Sequence, residues 1–129
     1  MAAAVDLWWI YYVRKVPYTV PLPKNKYVVI VCCDDYPRGF LVNTSVHAWI
    51  QIDGQKMAAQ VPIPAANHPC LDHDSYVDCC DLYRFEEFQL QDKRSAVSEP
   101  VKGAILAAVG GSKTIIRRYR ELITGRKPK

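Results

Sequence analysis

The stretch Lys26-Tyr27-Val28-Val29-Ile30-Val31-Cys32-Cys33 decides the fold. After the opening lysine every residue is aromatic, aliphatic or a thiol, over a length that suits one strand. Hydrophobicity that is continuous rather than alternating requires cover on both faces, as in a barrel or a central strand. Asp34-Asp35-Tyr36-Pro37-Arg38-Gly39 follows, with the acids, proline and glycine of a turn. Phe40-Leu41-Val42-Asn43-Thr44 reads as the next strand. The two runs are expected to pair as an antiparallel hairpin with a longer loop, inside a closed or nearly closed barrel.

Upstream, residues 7–13 are rich in aromatic and β-branched side chains and read as a strand. Trp8, Trp9, Tyr11, Tyr12 and Tyr18 crowd this region. Exposed aromatics beside basic groups can stack bases. Alternation nevertheless sends about half of them inward, so core or dimer packing is the reading taken. Pro17, Pro21 and Pro23 make residues 16–24 extended and irregular. Downstream, 46–52 suits either a helix or a strand, and Asp53-Gly54 reads as a turn. Residues 59–63 form a strand that Pro62 restricts to an edge or a bulge. Residues 75–79 alternate as a strand, with 82–85 its extension or a second short one.

The period changes in the last third. Ser98-Glu99-Pro100 has the chemistry of a helix start, and Val101, Ile105, Leu106 and Val109 share one face. Gly110-Gly111 ends that helix, and Ser112 is expected to cap a second one with Ile115, Ile116, Tyr119, Leu122 and Ile123 as its apolar stripe. Gly125 is a natural stop. The fold class is therefore mainly β with two C-terminal helices over 98–125 and a basic tail at 126–129, all within a single domain spanning 1–129.

Composition sets the limits. The chain has 129 residues, half of them hydrophobic, enough for one well-cored domain. No uninterrupted apolar run reaches the length of a membrane span. The apolar N-terminal run 5–13 is broken by Asp6, ends at Arg14-Lys15, and lacks the flanks of a signal peptide. Five cysteines, including the adjacent pairs 32–33 and 79–80, make a poor disulfide framework and fit reduced thiols in the cytoplasm. The net charge of +4 is uneven: from Lys113 onward the chain carries seven basic residues and one acid, so the remainder is slightly negative. A basic end on an acidic body suits contact with nucleic acid or an acidic partner.

The densest group of metal-ligand types is His68, Cys70, His73 and Asp74, with Cys79 or Cys80 to follow. It lacks a CxxC pair, and adjacent cysteines of a strand point to opposite faces, so no metal and no cofactor is expected. A Cys70–His68 or Cys70–His73 nucleophile has no orienting third group in the sequence. His73-Asp74-Ser75 reads as a turn and cap.

Four segments, in order, resemble the MazF/PemK family of toxins: residues 26–33, residues 40–45, residues 73–79 followed by Leu82, and residues 98–109. The likeness covers about 24–125 and leaves 1–24 weakly matched. It implies a small SH3-like barrel, a homodimer, and an RNA endonuclease neutralised by an antitoxin protein. It also implies metal-free chemistry, in which the RNA 2′-hydroxyl attacks the adjacent phosphorus. Carried over by position, Lys26 stands where the family has an arginine that bears the charge, and Thr44 matches the threonine at the scissile phosphate. Lys24, Arg38, Asn43, Ser45 and His73 are the further RNA-binding candidates. The chain departs from the family at Tyr27 and Val42, where prolines are usual. Lysine keeps the charge of arginine without its planar fork. The rival reading is a non-catalytic binding module on the same fold, for protein or nucleic acid, carried by a mobile element.

Overall fold

The computed structural model describes residues 5–17, 19, 22–44 and 54–125. Residues 46–52, which the sequence left between helix and strand, lie outside these, as do Ser45, Tyr18 and the basic tail. The strands are β1 (Trp9–Val16), β2 (Lys24–Cys33), β3 (Pro37–Asn43), β4 (Gln60–Ile63), β5 (Ser75–Arg84) and β6 (Asp92–Ala96). The helices are α1 (Gly54–Ala58), α2 (Glu99–Gly110) and α3 (Arg117–Thr124). The strands form one six-stranded antiparallel sheet in the order β4-β5-β3-β2-β1-β6, a half-barrel whose edges are β4 and β6.

β2 is the strand that the apolar run required. It pairs with β1 on one side and β3 on the other, and apolar layers cover both of its faces. On one face Val29 and Val31 join Ile10, Phe40, Val42 and Val77 beneath Val101, Ile105 and Val109 of α2. On the other, Val28 and Ile30 pack with Tyr11, Val13, Leu41, Phe85 and Leu90. Each such aliphatic side chain contributes roughly 1.5–3 kcal/mol by leaving water.

The hairpin is tighter than its sequence suggests. Only residues 34–36 form the bend, and Pro37, Arg38 and Gly39 already belong to β3. Gly39 is there for space: a Cβ would overlap the carbonyl oxygen of Val29 on the neighbouring strand. This close approach accompanies the register shift between Ile30 and Cys32, and a glycine inside a strand often marks a bulge or a close approach of another backbone. Pro62 lies in edge strand β4, as its missing N–H demands. The amide of Cys79 donates to the carbonyl of Ala59 at 2.9 Å, and by alternation the backbone of residue 62 then faces away from β5.

Several expectations are corrected. Gly54 opens the short helix α1 rather than closing a turn. Of the two alternatives for 82–85 the structure takes the extension: 75–84 is one strand, and Phe85 lies just beyond it. Strand β6, Asp-Lys-Arg-Ser-Ala, was not expected; it is an edge strand, and charge is what such edges carry to discourage further pairing. Ser98 flanks α2, but its hydroxyl caps nothing and has no partner among the described residues. Its amide instead donates to Nε2 of the fully buried His68 at 3.1 Å, while Nδ1 of that ring lies 2.7 Å from the Pro64 carbonyl. Both contacts are satisfied by the neutral Nδ1–H tautomer, so His68 ties the 64–68 loop to the start of α2. Ser112 also caps no helix directly: its Oγ accepts from the amides of Thr114 and Ile115 and shapes a turn. α3 starts only at Arg117, with Ile116 as its flanking residue, so Ile116 and Leu122 are exposed while Ile115 and Ile123 are buried. Gly125 ends α3 with φ of 74°, the left-handed stop its position implied.

The Gly39→Ala variant is expected to lose at least about 1–3 kcal/mol in chemical denaturation, because backbone cannot yield as a side chain would. An unchanged midpoint would contradict the β2–β3 register.

Candidate functional site at the Lys26 end of the sheet

Burial changes along β2. Its first residues, Lys24 and Asn25, are exposed, Lys26 and Tyr27 are half-buried, and residues 28–32 are buried. Lys26 therefore sits where the strand passes from solvent into the core. Its Nζ donates to Oδ1 of Asn43, the last residue of β3, at 2.6 Å. Asn43 is a neutral acceptor, so it directs the ammonium without cancelling its charge. The Lys26 pKa lies below the ordinary 10.5, first because burial penalises the cation and second because Lys24 is close; Asp78 acts in the opposite sense.

The same face continues into β5 and β4. Asn43 is opposite Tyr76, and Asp78 is opposite Leu41 on one side and Gln60 on the other. Asp78 Oδ1 accepts from Gln60 Nε2 at 2.9 Å and from the Cys80 amide at 3.0 Å. Both bonds fall on one carboxylate oxygen. The arrangement is an oriented cation, a carboxylate fixed from one side, a phenol and two amides, all at one end of one sheet face.

The structure sorts the sequence candidates. Lys24, Lys26 and Asn43 come together. Thr44 follows Asn43 directly and is exposed. His73 is exposed in the segment leading into β5 at this same end; its carbonyl accepts from the Ser75 hydroxyl at 2.9 Å. Ser45 lies outside the described residues. Arg38 does not join the site. It sits toward the other end of β3, where its Nε bonds both oxygens of Asp34 at 3.1 and 3.2 Å and its guanidinium lies 4.5 Å from the Tyr119 ring. Those contacts help fasten α3 to the β2–β3 bend. Gln60, Tyr76 and Asp78 were not singled out as site residues. The signal for two of them is the alternation of Ser75-Tyr76-Val77-Asp78-Cys79, which puts Tyr76 and Asp78 on the face away from buried Val77 and Cys79.

The cysteines are all free. Burial pushes the Cys32 and Cys80 thiols up to about 12 and raises Cys79 further, which makes them poor nucleophiles. Among the described residues no three of His, Cys, Asp and Glu are grouped to hold a metal, and no helix is long and apolar enough to cross a membrane.

No protein-family model matches the chain, and no curated protein matches it. Among solved structures it is similar to the Mycobacterium tuberculosis toxin MazF-mt6, at 18% sequence identity, over 79% of this chain and 92% of that one, with a TM-score of 0.59. The likeness is one of fold: the half-barrel of six antiparallel strands with its C-terminal helices is MazF-like.

Proposed function

We propose that this protein binds single-stranded RNA across the Lys26 end of its sheet and cleaves it without a metal, as the toxin of a toxin–antitoxin pair. One observation carries the reading: on a MazF-like fold, a half-buried ammonium is aimed by a neutral acceptor at 2.6 Å, and the exposed Thr44 follows that acceptor in the chain. In the reaction the 2′-oxygen loses its proton and bonds to phosphorus. The bond from phosphorus to the 5′-oxygen breaks, and that oxygen takes a proton. The products are a 2′,3′-cyclic phosphate and a 5′-hydroxyl. Negative charge grows on the non-bridging oxygens, and Lys26 supplies the compensating charge in a partly water-excluded place, where it counts most. Thr44 holds the same phosphate. Asn43 positions Lys26. Asp78 is the carboxylate placed to take up a proton. A homodimer and an antitoxin partner belong to the same reading.

Removing a contact of this kind lowers the rate by roughly 10²–10³. Lys26→Ala and Thr44→Ala are each expected to do so in cleavage of a fluorescent single-stranded RNA, with the thermal transition retained. Lys26→Arg is expected to keep or raise activity by restoring a fork for the phosphate. If neither the natural protein nor Lys26→Arg cuts RNA while both still bind it, the groove is a binding site and the module reading replaces the nuclease.

The pH dependence follows from the depressed Lys26 pKa. The ammonium is present below that pKa and lost above it, so the alkaline limb of the rate profile is expected to fall below 10.5. Lys24→Gln removes one lowering influence and is expected to move the limb upward. A limb unmoved by Lys24→Gln would show that another group titrates.

A further inference from the structure

The opposite face of β2, at the same end of the sheet, carries a second assembly. Tyr27 follows Lys26 in the strand and so points to the other side. Its ring centroid lies 5.1 Å from that of Tyr12, its β1 partner, with the planes tilted by 57°. The Arg94 guanidinium, from edge strand β6, lies 5.0 Å from the Tyr12 centroid and 5.9 Å from that of Tyr27. Asp92 fixes its plane with two bonds, Nε to Oδ1 at 2.7 Å and Nη2 to Oδ2 at 2.8 Å. Arg14 approaches the Tyr12 ring at 5.9 Å. Arg14 and Lys15 are both exposed, at the irregularity in β1 between Val13 and Val16, where Lys15 takes a φ of 50°. Arg94 is exposed as well, and neither tyrosine is fully buried.

We propose that this Tyr12–Tyr27–Arg94 assembly is a stacking platform for bases of single-stranded RNA that lie beyond the segment held at Lys26. The inference rests on the nuclease reading for its ligand. Its chemistry differs from that of the Lys26 side. Asp92 offsets the charge of Arg94, so the assembly itself offers aromatic and guanidinium planes, and Arg14 and Lys15 leave positive charge beside it for the phosphates that flank a stacked base. Unpaired bases present flat faces; a duplex presents its phosphates and base edges. Stacking on aromatic and guanidinium planes is tolerant of sequence and is how single strands are held outside their reactive phosphate.

The test is fluorescence anisotropy with uncleavable 2′-O-methyl RNA strands of increasing length, short enough at first to occupy the Lys26 site alone. Tyr12→Ala is expected to leave the shortest strands unaffected and to weaken long ones by roughly 5- to 150-fold, the range for one base on one aromatic ring. Tyr12→Phe, which keeps the ring, is expected to bind long strands as the natural protein does. The weakening should be alike at low and high salt, whereas Lys24→Gln should flatten the salt dependence, as loss of a phosphate contact does. A duplex of the same sequence should not sense Tyr12→Ala. Long strands that bind Tyr12→Ala undiminished, with its thermal transition intact, would overturn the platform. If Tyr12→Ala fails to fold, Arg94→Gln on the exposed edge strand serves in its place with the same expectations. The two readings separate cleanly: a length-dependent loss with no cleavage by the natural protein leaves the platform standing and removes the nuclease. Cleavage with no length-dependent loss does the reverse.

Discussion

The structure depends on burying both faces of β2. An apolar run without alternation cannot tolerate a solvated face, so apolar layers close on it from each side. One contains the inward residues of α2 and α3, and the other contains Phe85 and Leu90 from the β5–β6 connection. β1 and β3 must flank it, because buried backbone amides and carbonyls need partners. The Gly39 contact is a consequence: at the register shift β3 approaches β2 so closely that only a residue without a side chain fits.

The same strand explains the candidate site. β2 emerges from the core toward its N-terminal end, and Lys26 stands at the boundary, half in and half out. That position gives the ammonium its two properties at once. Partial desolvation depresses its pKa, and the neighbouring strand offers Asn43 to fix its direction. Because consecutive residues of a strand face opposite ways, the boundary also places Tyr27 on the far side, among Tyr12 and Arg94. One strand end thus presents charge on one face and flat rings on the other.

Much of the fold was legible because it follows from burial. Residues 26–33 and 40–44 announced an antiparallel pair, Pro62 an edge or a bulge, Gly125 a helix stop, and Val101, Ile105, Leu106 and Val109 one face of α2, of which Leu106 is only partly buried. What stayed illegible depends on partners distant in sequence. Gly39 reads as a turn residue until the Val29 carbonyl is seen beside it. Strand β6 has no apolar signature, since an edge strand of charged residues is held by β1 and by Lys93 and Arg94 over its aromatic rings. Ser98 has the letter of a cap, but His68, thirty residues away, takes its amide. The site was half legible. Lys26 and Asn43 were named through the family resemblance and the structure brings them into contact, whereas Arg38, equally basic in the sequence, is committed to Asp34 and Tyr119.

The most direct test of the central claim, that the Lys26 ammonium is a phosphate-binding charge, is its titration by NMR with isotopically labelled lysine. The measurement is made without ligand and then with a saturating uncleavable RNA strand. In the free protein Lys26 should titrate below 10.5, as burial and Lys24 require. With the strand bound, a phosphate beside it should favour the charged form and raise that value. A Lys26 pKa that the bound strand leaves unchanged would contradict the claim.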